Sequence, residues 1–434
     1  MRRVWSTITK PPKKVTLAIF GVGLLATTCE LFLFGAADIS TSLTYAGRMT
    51  GVVFLLAALL ALGACIAFLN YCTAQPAKYS GALTFLGVMV SLLANLTLLI
   101  LQIDGGYTGI LWVWITFLLW AGWALWQLHR SQVWSGIPYP RTFAAGVAIT
   151  SLLAVANFSY TLIYQPYTSP ALISTRLEFG KAKVHEGTVV LPLRVHTKNM
   201  GKVGVYVLGS LYQVAGRIDA FSKDERSTRM WLQDVSSRQP DLYRHTDIDK
   251  EGYHLLAQGR FLAQGSVLQP GREIVSEKVI QLPAAHPYDL LGATGSVAYI
   301  RRDRATLADD YASSGKSSWR SNFTHTTDER EAPAWVAKSG VETFKYQSRI
   351  IHSSALLEKT RPPHNVTVWW VLTNPGSESQ FGPQIIHLVA KRGTEAQKPT
   401  PAERRRMTDR YGLDITASGN VQKSVQELIE SRQK

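Results

Sequence analysis

Long apolar runs separated by short polar connections fill the first 165 residues of the chain. A helix needs about 20 residues to cross roughly 30 Å of hydrocarbon, and five of the runs reach that length. The first run is too long for the apolar region of a cleaved signal peptide, and further spans follow it directly. The pattern therefore predicts a tail at residues 1–14 and a five-helix transmembrane domain at 15–165, with spans at about 15–37, 49–71, 82–103, 108–128 and 143–165.

Lysine and arginine are distributed unevenly between the two sides of these spans. Eight basic residues fall in the N-terminal tail and in the loops on its side, whereas Arg48 is the only one in the short loops on the other side. Because basic loops are retained in the cytoplasm, we expect the N-terminus inside the cell. Five crossings then place residues 166–434 outside the cell membrane, and the lipid bilayer is the first expected partner.

Two spans have compositions that indicate how the helices pack. The second places small residues at helical spacing, which lets a neighbouring helix approach closely; they are Ala57, Ala61, Gly63, Ala64 and Ala67. The fourth is rich in tryptophan, a residue that prefers the membrane interface. We interpret the small residues as a packing surface rather than a substrate groove. The outermost tryptophans are interpreted as interfacial anchors rather than a ligand platform.

From residue 166 the pattern changes to short runs in which apolar and polar residues alternate, as in half-buried strands. Thr188–Val195 shows this alternation, Asn199–Gly201 supplies a turn, and Val203–Val207 resumes it, which predicts a β-hairpin. Further runs predict an antiparallel sandwich at residues 166–302. At the level of pattern, this region resembles the immunoglobulin-like modules that many envelope proteins display outside the membrane. A shared fold of this kind would not convey a function.

The last third of the chain is less regular. Residues 303–348 are polar and are interpreted as a linker or surface excursion, and residues 349–395 contain further strands, which either complete the first sandwich or form a second sheet. Residues 396–434 predict C-terminal helices. Thr400–Glu403 is a capping box, and Gly412 suits a helix end. A second helix should then present an apolar stripe of Val421, Val425, Leu428 and Ile429.

Composition adds constraints on partners and stability. The net charge is +15, but basic residues after residue 165 are scattered among acidic ones until the C-terminal region, so we expect no nucleic-acid partner. The three cysteines, at positions 29, 65 and 72, all lie in or beside the predicted spans. The exported half therefore contains neither a disulfide nor a thiolate metal site, and its core must stabilise it unaided.

Glu30 is the only ionisable side chain well inside a predicted span. Intramembrane carboxylates are costly and are candidates for functional sites. Arg48 begins the second span a short loop away, and we expect it to pair with Glu30 unless the carboxylate faces water. The alternative is a proton or ion relay, with Asn95, Gln102 and Asn157 as the few other polar groups inside the spans.

The strongest surface feature is a set of basic residues near the C-terminus: Lys391, Arg392, Lys398, Arg404, Arg405, Arg406 and Arg410. On the outer side of a membrane such a set can attract an anionic envelope polymer or lipid headgroups. The alternative is a solvated helix face partly neutralised by Glu403 and Asp409. The oligomeric state is not predicted by any of these patterns.

Motifs for chemistry are weak throughout. His245–Gly252 matches only the first half of a calcium-binding EF-hand loop, the histidines lack zinc-ligand spacing, and Ser313–Lys316 lies in polar loop rather than on a buried helix. We therefore predict no catalytic, cofactor-binding or metal residues and favour a non-enzymatic protein. The prediction is a multi-pass membrane protein that displays a β-rich binding domain. A subunit of a membrane transport or export assembly is the alternative.

Overall fold

A computed structural model describes eleven parts of the chain: residues 14–71, 79–130, 146, 171–218, 225–237, 253–283, 285–308, 333–337, 342–373, 382–394 and 397–430. They belong to two compact units. The helical unit takes residues 1–169 together with 303–306 and 351–363. The β-rich unit takes 170–302, 307–350 and 364–434.

The helical unit contains four long helices that are apolar enough to cross a membrane. Their membrane-length parts are Thr16–Thr41, Tyr45–Asn70, Ser80–Ile103 and Leu111–Arg130. Four of the five predicted spans are thus confirmed by length and composition, and the fifth, at 143–165, lies outside the described residues apart from Gly146. The full helices are α1 (Lys14–Thr41), α2 (Tyr45–Tyr71), α3 (Ser80–Gly105) and α4 (Leu111–Arg130).

Neighbouring helices in this unit run antiparallel and pack through small residues. Phe20 near the start of α1 stacks on Phe68 near the end of α2, with ring centroids 4.6 Å apart. Ala64 on α2 faces Gly87 on α3 so closely that a Cβ at position 87 would lie 2.1 Å from the Ala64 Cβ. Ala61, Ala64 and Ala67 are buried, which confirms the packing surface predicted for the second span.

The tryptophans of α4 divide into buried and exposed members. Trp114 is buried, and its Nε1 donates to Gln102 Oε1 of α3 at 3.4 Å. Trp120 covers Gly23 of α1 and donates from Nε1 to the Ile19 carbonyl at 3.2 Å. Trp112 and Trp126, near the two ends of the helix, are exposed, as interfacial anchors require.

Fourteen strands are described. They are β1 (Ile173–Phe179), β2 (Lys183–His185), β3 (Thr188–Asn199), β4 (Val205–Arg217), β5 (Tyr253–Gly259), β6 (Val267–Leu268), β7 (Glu273–Pro283), β8 (Leu290–Arg301), β9 (Ala305–Leu307), β10 (Glu342–His352), β11 (His364–Leu372), β12 (Gln384–Lys391), β13 (Asp414–Ala417) and β14 (Val421–Ser424). Five short helices accompany them: α5 (Thr228–Ser236), α6 (Ala334–Ala337), α7 (Ala355–Thr360), α8 (Pro401–Tyr411) and α9 (Val425–Glu430).

Two antiparallel sheets share the main core of the β-rich unit. In one sheet β3 pairs with β1, β2 and β7. In the other, β4 lies between β5 and β8, β6 also pairs with β4, and β13 and β14 pair with the far edge of β8. The core between them contains the alternating apolar side chains of both sheets, including Leu191, Leu193, Val207, Val214 and Val297.

The hairpin predicted across Asn199–Gly201 is wrong, although both of its strands are present. β3 and β4 lie in different sheets, because each strand buries one apolar face in the common core. Asn199 is fully buried at the crossing, and its Nδ2 donates to the carbonyls of Val203 and Leu268 at 2.8 and 3.0 Å. The turn residues thus fix a crossover between sheets.

Residues 349–395 do not complete the two-sheet core. Strands β9 to β12 form a separate four-stranded sheet in the order β12–β11–β10–β9. Trp370 of β11 packs against Gly209 of β4, where an added Cβ would lie 2.6 Å from the indole Nε1. The predicted linker is also shorter than expected, since β10 begins at Glu342, and the strand predicted for Arg349–Leu357 ends at His352.

The C-terminal region confirms one predicted helix and corrects the other. Thr400 and Glu403 form the capping box at the start of α8, and Gly412 ends that helix in the left-handed conformation with φ 57°. The predicted second helix begins only at Val425, because Val421–Ser424 pairs with β8 as strand β14. Its apolar stripe nevertheless faces the core: Val425 and Leu428 are buried in it, and Val421 and Ile429 pack against it.

Candidate functional sites

A short helix from late in the sequence lies on one end of the four-helix bundle. This docked segment, residues 351–363, contains α7 and belongs to the helical unit. The carboxylate of Asp38, on the last turn of α1, accepts a hydrogen bond from the backbone N–H of Leu356 at 3.2 Å. Asp38 is only 1% exposed. A negative side chain at the first turn of a helix satisfies N–H groups that the helix leaves without partners.

Apolar contacts complete the seating of α7. Leu356 is fully buried in a cluster with Leu31 of α1, Leu98 of α3 and Trp114 of α4. Burying a leucine side chain contributes about 1.5–3 kcal/mol, so this one residue supplies much of the attachment. The last turn is buried as well, because Thr360 is inaccessible and its hydroxyl bonds to the Leu356 carbonyl at 3.0 Å.

The loops at this end of the bundle also hold the docked segment. The N–H of Leu43, in the α1–α2 connection, donates to the carbonyl of Ser353 at 2.9 Å. Thr108, in the α3–α4 connection, bonds the carbonyl of Lys359 at 3.5 Å. Both loops therefore lie at the same end of the bundle as α7.

The docked segment is closed on itself by two caps. Ser354 is the N-cap of α7, and its Oγ accepts from the N–H of Leu357 at 3.2 Å. Glu358 Oε2 accepts from the His352 N–H at 3.0 Å and lies 2.7 Å from His352 Nδ1. His352 is buried, so this pair fixes the chain where β10 gives way to α7.

Glu30 and Arg48, predicted as a pair, are not brought together. Among the described residues, no hydrogen-bond partner reaches either carboxylate oxygen of Glu30, and both oxygens are shielded from solvent. Arg48 instead donates from Nε to the carbonyl of Ser42 at 3.2 Å, within the α1–α2 connection. Arg48 is therefore engaged at the loop end of the bundle, whereas Glu30 lies deeper along α1.

The basic set near the C-terminus forms a surface with one exception. Lys391 ends β12, Arg392 and Lys398 lie in the following loop, and Arg404, Arg405 and Arg406 fall on the first turns of α8; all six are exposed. We call these six residues the basic surface. Arg410 does not belong to it, because it is only 8% exposed and turns inward beside the fully buried Tyr411.

The acidic residue Glu403, next to the basic surface, takes part in the cap of α8. Glu403 accepts hydrogen bonds from the Thr400 N–H and hydroxyl, both at 2.9 Å. These bonds hold the pKa of Glu403 below its ordinary value. The carboxylate therefore stays ionised while it serves the cap, and it offsets only part of the positive charge around it.

His387 lies on β12 under this surface. Its pKa is lowered to about 4, mainly by burial and also by the charge of Arg404, while the charge of Asp414 acts in the opposite sense. The imidazole is therefore neutral at pH 7. The sequence showed this histidine only as one of several isolated ones, because the contact with Arg404 depends on how α8 packs.

Metal-binding chemistry finds no support in the described parts of the chain, where no group of three or more potential ligands comes together. The sequence cluster at 245–252 lies outside those parts.

The docked segment was not predicted from the sequence. Its only local signals are Ser354 at an N-cap position before Leu356 and Leu357, and Asp38 at the outer end of an apolar span.

No family model matches the chain, and no curated protein matches its sequence. Solved structures show weak similarity. One is the putative ApaA protein from Bordetella pertussis, at 11% identity over 31% of this chain and 84% of that one, with a TM-score of 0.20. Another is Spo0M, a sporulation control protein from Bacillus subtilis, at 13% identity over 61% of this chain and 94% of that one, with a TM-score of 0.17. Neither similarity supports an argument about fold or function.

Proposed function

We propose that this chain is a multi-pass membrane protein with a cytoplasmic N-terminus, whose β-rich unit lies outside the cell membrane and binds an anionic partner without catalysing a reaction. The observation that carries the proposal is the position of the docked segment. Residues 351–363 lie at the end of the bundle that holds the α1–α2 and α3–α4 loops.

That position supports an odd number of crossings after α4. The fourth helix ends at Arg130, at the opposite end from the α3–α4 loop, yet residues 351–363 are back at the loop end. If the four helices cross a bilayer, the chain must cross it once more between these points. The apolar run at 143–165 is long enough to do so, which is the fifth span of the proposal.

The basic loops support the direction. The ends of α1 and α2 away from the docked segment adjoin the basic N-terminal tail and Lys78, and α4 ends in Arg130 on that side. Basic loops remain in the cytoplasm, so the docked segment and the strands β10 and β11 that flank it are assigned to the outside.

Strand order supports an immunoglobulin-like module within the β-rich unit. The first sheet has β1 and β7 on either side of β3, and the second has β5, β4 and β8 side by side with β13 and β14 on its edge. This is the order of strands A, B and E facing C′, C, F and G in immunoglobulin domains. The sheet β9–β12 is then an insertion between the last two of these strands.

The basic surface supports an anionic partner. Six exposed cations lie within residues 391–406, and Coulomb attraction from them acts over about 8–10 Å at physiological salt. Phosphate or carboxylate groups on lipid headgroups or on an envelope polymer share the chemistry that this surface would attract.

Topology and binding can be tested separately on the full chain. In a variant with Cys29, Cys65 and Cys72 replaced by serine, Arg392→Cys should react with an impermeant maleimide on intact cells. Tyr79→Cys, at the other end of the bundle, should react only after permeabilisation. Labelling of Tyr79→Cys but not Arg392→Cys on intact cells would overturn the orientation.

For binding, purified full-length protein would be measured against a soluble polyanion and against anionic and zwitterionic vesicles. Replacing Arg404, Arg405 and Arg406 with alanine should weaken anionic binding at least tenfold and flatten its dependence on salt. Replacing the exposed Lys181 and Lys183 is the matched control and should have a smaller effect. Equal effects of the two variants, or binding that is independent of salt, would overturn the role of this surface.

The alternative, a subunit of a transport or export assembly, is favoured by one observation. Glu30 keeps a carboxyl group inside a candidate span without a hydrogen-bond partner among the described residues. If Glu30→Gln abolishes the cellular activity while the arginine replacements leave it intact, the transport assignment replaces the binding assignment.

A further inference from the structure

The carboxyl group of Glu30 lies inside the span Thr16–Thr41, and neither of its oxygens is accessible to solvent. No described residue places a donor within hydrogen-bonding distance of either oxygen. A buried polar group in this situation must be satisfied in some other way.

Donors close to Glu30 along α1 and in the bundle are engaged elsewhere. The hydroxyls of Thr27 and Thr28 bond to carbonyls one turn back in α1, at 3.1 and 2.8 Å. Asn95 Nδ2 of α3 bonds the carbonyl of Ser91 at 2.9 Å. These bonds keep the helix-bound donors from turning toward the carboxyl group.

Charged groups on the helices do not approach Glu30 within hydrogen-bonding distance. On α1 and α2, Arg48 bonds Ser42 and Asp38 binds α7. Between Ser80 and Ile103 in α3, and between Leu111 and Leu128 in α4, the sequence contains no titratable residue. The remaining titratable groups among the described residues of this unit lie as follows. Cys29 and Cys65 are within the spans. Tyr45, Asp104 and Tyr107 are at the end that holds the docked segment, and Lys14, Tyr71, Tyr79, His129 and Arg130 are at the opposite end. The others are His352, Glu358, Lys359 and Arg361 in the docked segment, with Asp303 and Arg304.

A second buried acceptor lies at a similar depth. Asn95 is fully buried and its Oδ1 has no hydrogen-bond partner among the described residues. Leu31 and Leu98 belong to one cluster, and Glu30 and Asn95 lie one and three residues inward of them on α1 and α3, which run parallel. At 1.5 Å per residue their levels differ by about 3 Å. Two side chains at one depth thus carry acceptors that find no donor among the residues the structure describes.

We infer that Glu30 binds a proton in the resting protein and forms a neutral, proton-binding carboxyl site inside the membrane. An ionised carboxylate without a partner is strongly disfavoured in an apolar interior, whereas the neutral acid is tolerated there. The class of ligand follows from the geometry, because the carboxyl oxygens are acceptors and no positively charged side chain in the described part of the chain lies within hydrogen-bonding distance of them. This inference does not depend on the basic surface or on the proposed binding function, and it bears on the transport alternative.

The test uses the full-length protein in membranes at pH 8. An ordinary exposed glutamate is protonated in roughly one molecule in 5,000 at that pH. A lipid-soluble carbodiimide adds to protonated carboxyl groups: the acid proton moves to a reagent nitrogen, the carboxyl oxygen bonds to the central carbon, and an acyl shift leaves a stable N-acylurea. Mass spectrometry should find this adduct on Glu30 and not on Asp38, which accepts N–H bonds as a carboxylate would.

Infrared difference spectroscopy supplies a measurement that does not require the reagent to reach the site. The C=O stretch of a protonated carboxyl group should be present at pH 8 in the wild type and lost in Glu30→Gln. Glu30→Gln should also retain the thermal stability of the wild type, because glutamine has the shape of the neutral acid. The adduct on Glu30, or a carboxyl band that Glu30→Gln removes, supports the inference. If both are missing, Glu30 is ionised and the inference is overturned.

Discussion

Asp38 and Leu356 are 318 residues apart in the sequence, and the carboxylate of the first accepts a hydrogen bond from the backbone N–H of the second at 3.2 Å. The contact joins the end of α1 to the start of α7, where both side chains are buried. It attaches a segment from the last quarter of the chain to a bundle formed by the first third. The attachment of residues 351–363 to the bundle therefore depends on a few hydrogen bonds and on the buried side chain of Leu356.

Removing the carboxylate should loosen the docked segment. Losing a side-chain cap costs about 0.5–2 kcal/mol, so Asp38→Ala should increase hydrogen exchange at Leu356 and Leu357 by roughly tenfold, since 1.4 kcal/mol corresponds to that factor. Ser40→Ala is the matched control, because its hydroxyl bonds only to carbonyls of its own helix. Equal exchange in the two variants would show that the carboxylate does not hold α7.

A disulfide should form between the docked segment and the α1–α2 loop. The Leu43 N–H and the Ser353 carbonyl are 2.9 Å apart, which brings the two Cα atoms to roughly the 4.4–6.8 Å that a disulfide requires. In a background without the native cysteines, Leu43→Cys with Ser353→Cys should cross-link on mild oxidation.

The control for this cross-link is Ser80→Cys with Ser353→Cys. Ser80 begins α3, at the end of the bundle away from the docked segment, so this pair should remain reduced in the monomer. Cross-linking of the control at the same rate would contradict the position of residues 351–363 at the loop end.

Local patterns predicted the parts of this protein whose signals lie close together in sequence. The apolar spans follow from continuous runs, the strands β3 and β4 from alternation that includes Leu191 and Leu193, and the cap of α8 from Thr400 and Glu403. Each of these signals occupies fewer than 30 residues. The apolar runs and the alternation indicate whether a helix or strand is buried on all sides or on one face.

Relationships between distant residues could not be obtained in this way. The pairing of β14 with β8 turned a predicted helix start into a strand, because backbone bonding to an edge overrode the apolar periodicity of Val421 and Val425. Arg410 follows three exposed arginines of the same helix, yet it is buried. Its environment depends on neighbours that the helix pattern does not contain. The attachment of α7 to the bundle is the extreme case. From its neighbours in sequence, Asp38 is only a charged residue at the end of a span, and nothing near it indicates a contact with α7.

Close packing between α2 and α3 makes Gly87 sensitive to a single methyl group. An added Cβ would lie 2.1 Å from the Cβ of Ala64, so the helices must move apart in Gly87→Ala. Overpacking of this kind costs about 1–3 kcal/mol, and the melting temperature in detergent should fall accordingly. Gly122→Ala on α4 meets nothing within 4 Å and should be neutral or slightly stabilising through helix propensity. A Gly87→Ala protein as stable as Gly122→Ala would exclude this tight contact.

The partly buried His387 should make the β-rich unit less stable in mild acid. Its pKa is lowered to about 4 in the folded protein, against an ordinary value of 6.5. Between these values the unfolded chain binds more protons than the folded one, so stability falls as the pH drops from about 6.5 to about 4 and changes no further from this group below that. The loss should be of the order of 1–3 kcal/mol. Unfolding of the full chain in urea at pH 7 and pH 4.5 measures it, and His387→Gln, which cannot be protonated in this range, should lose correspondingly less stability between the two values. An unchanged pH dependence in His387→Gln would assign the acid sensitivity to other groups.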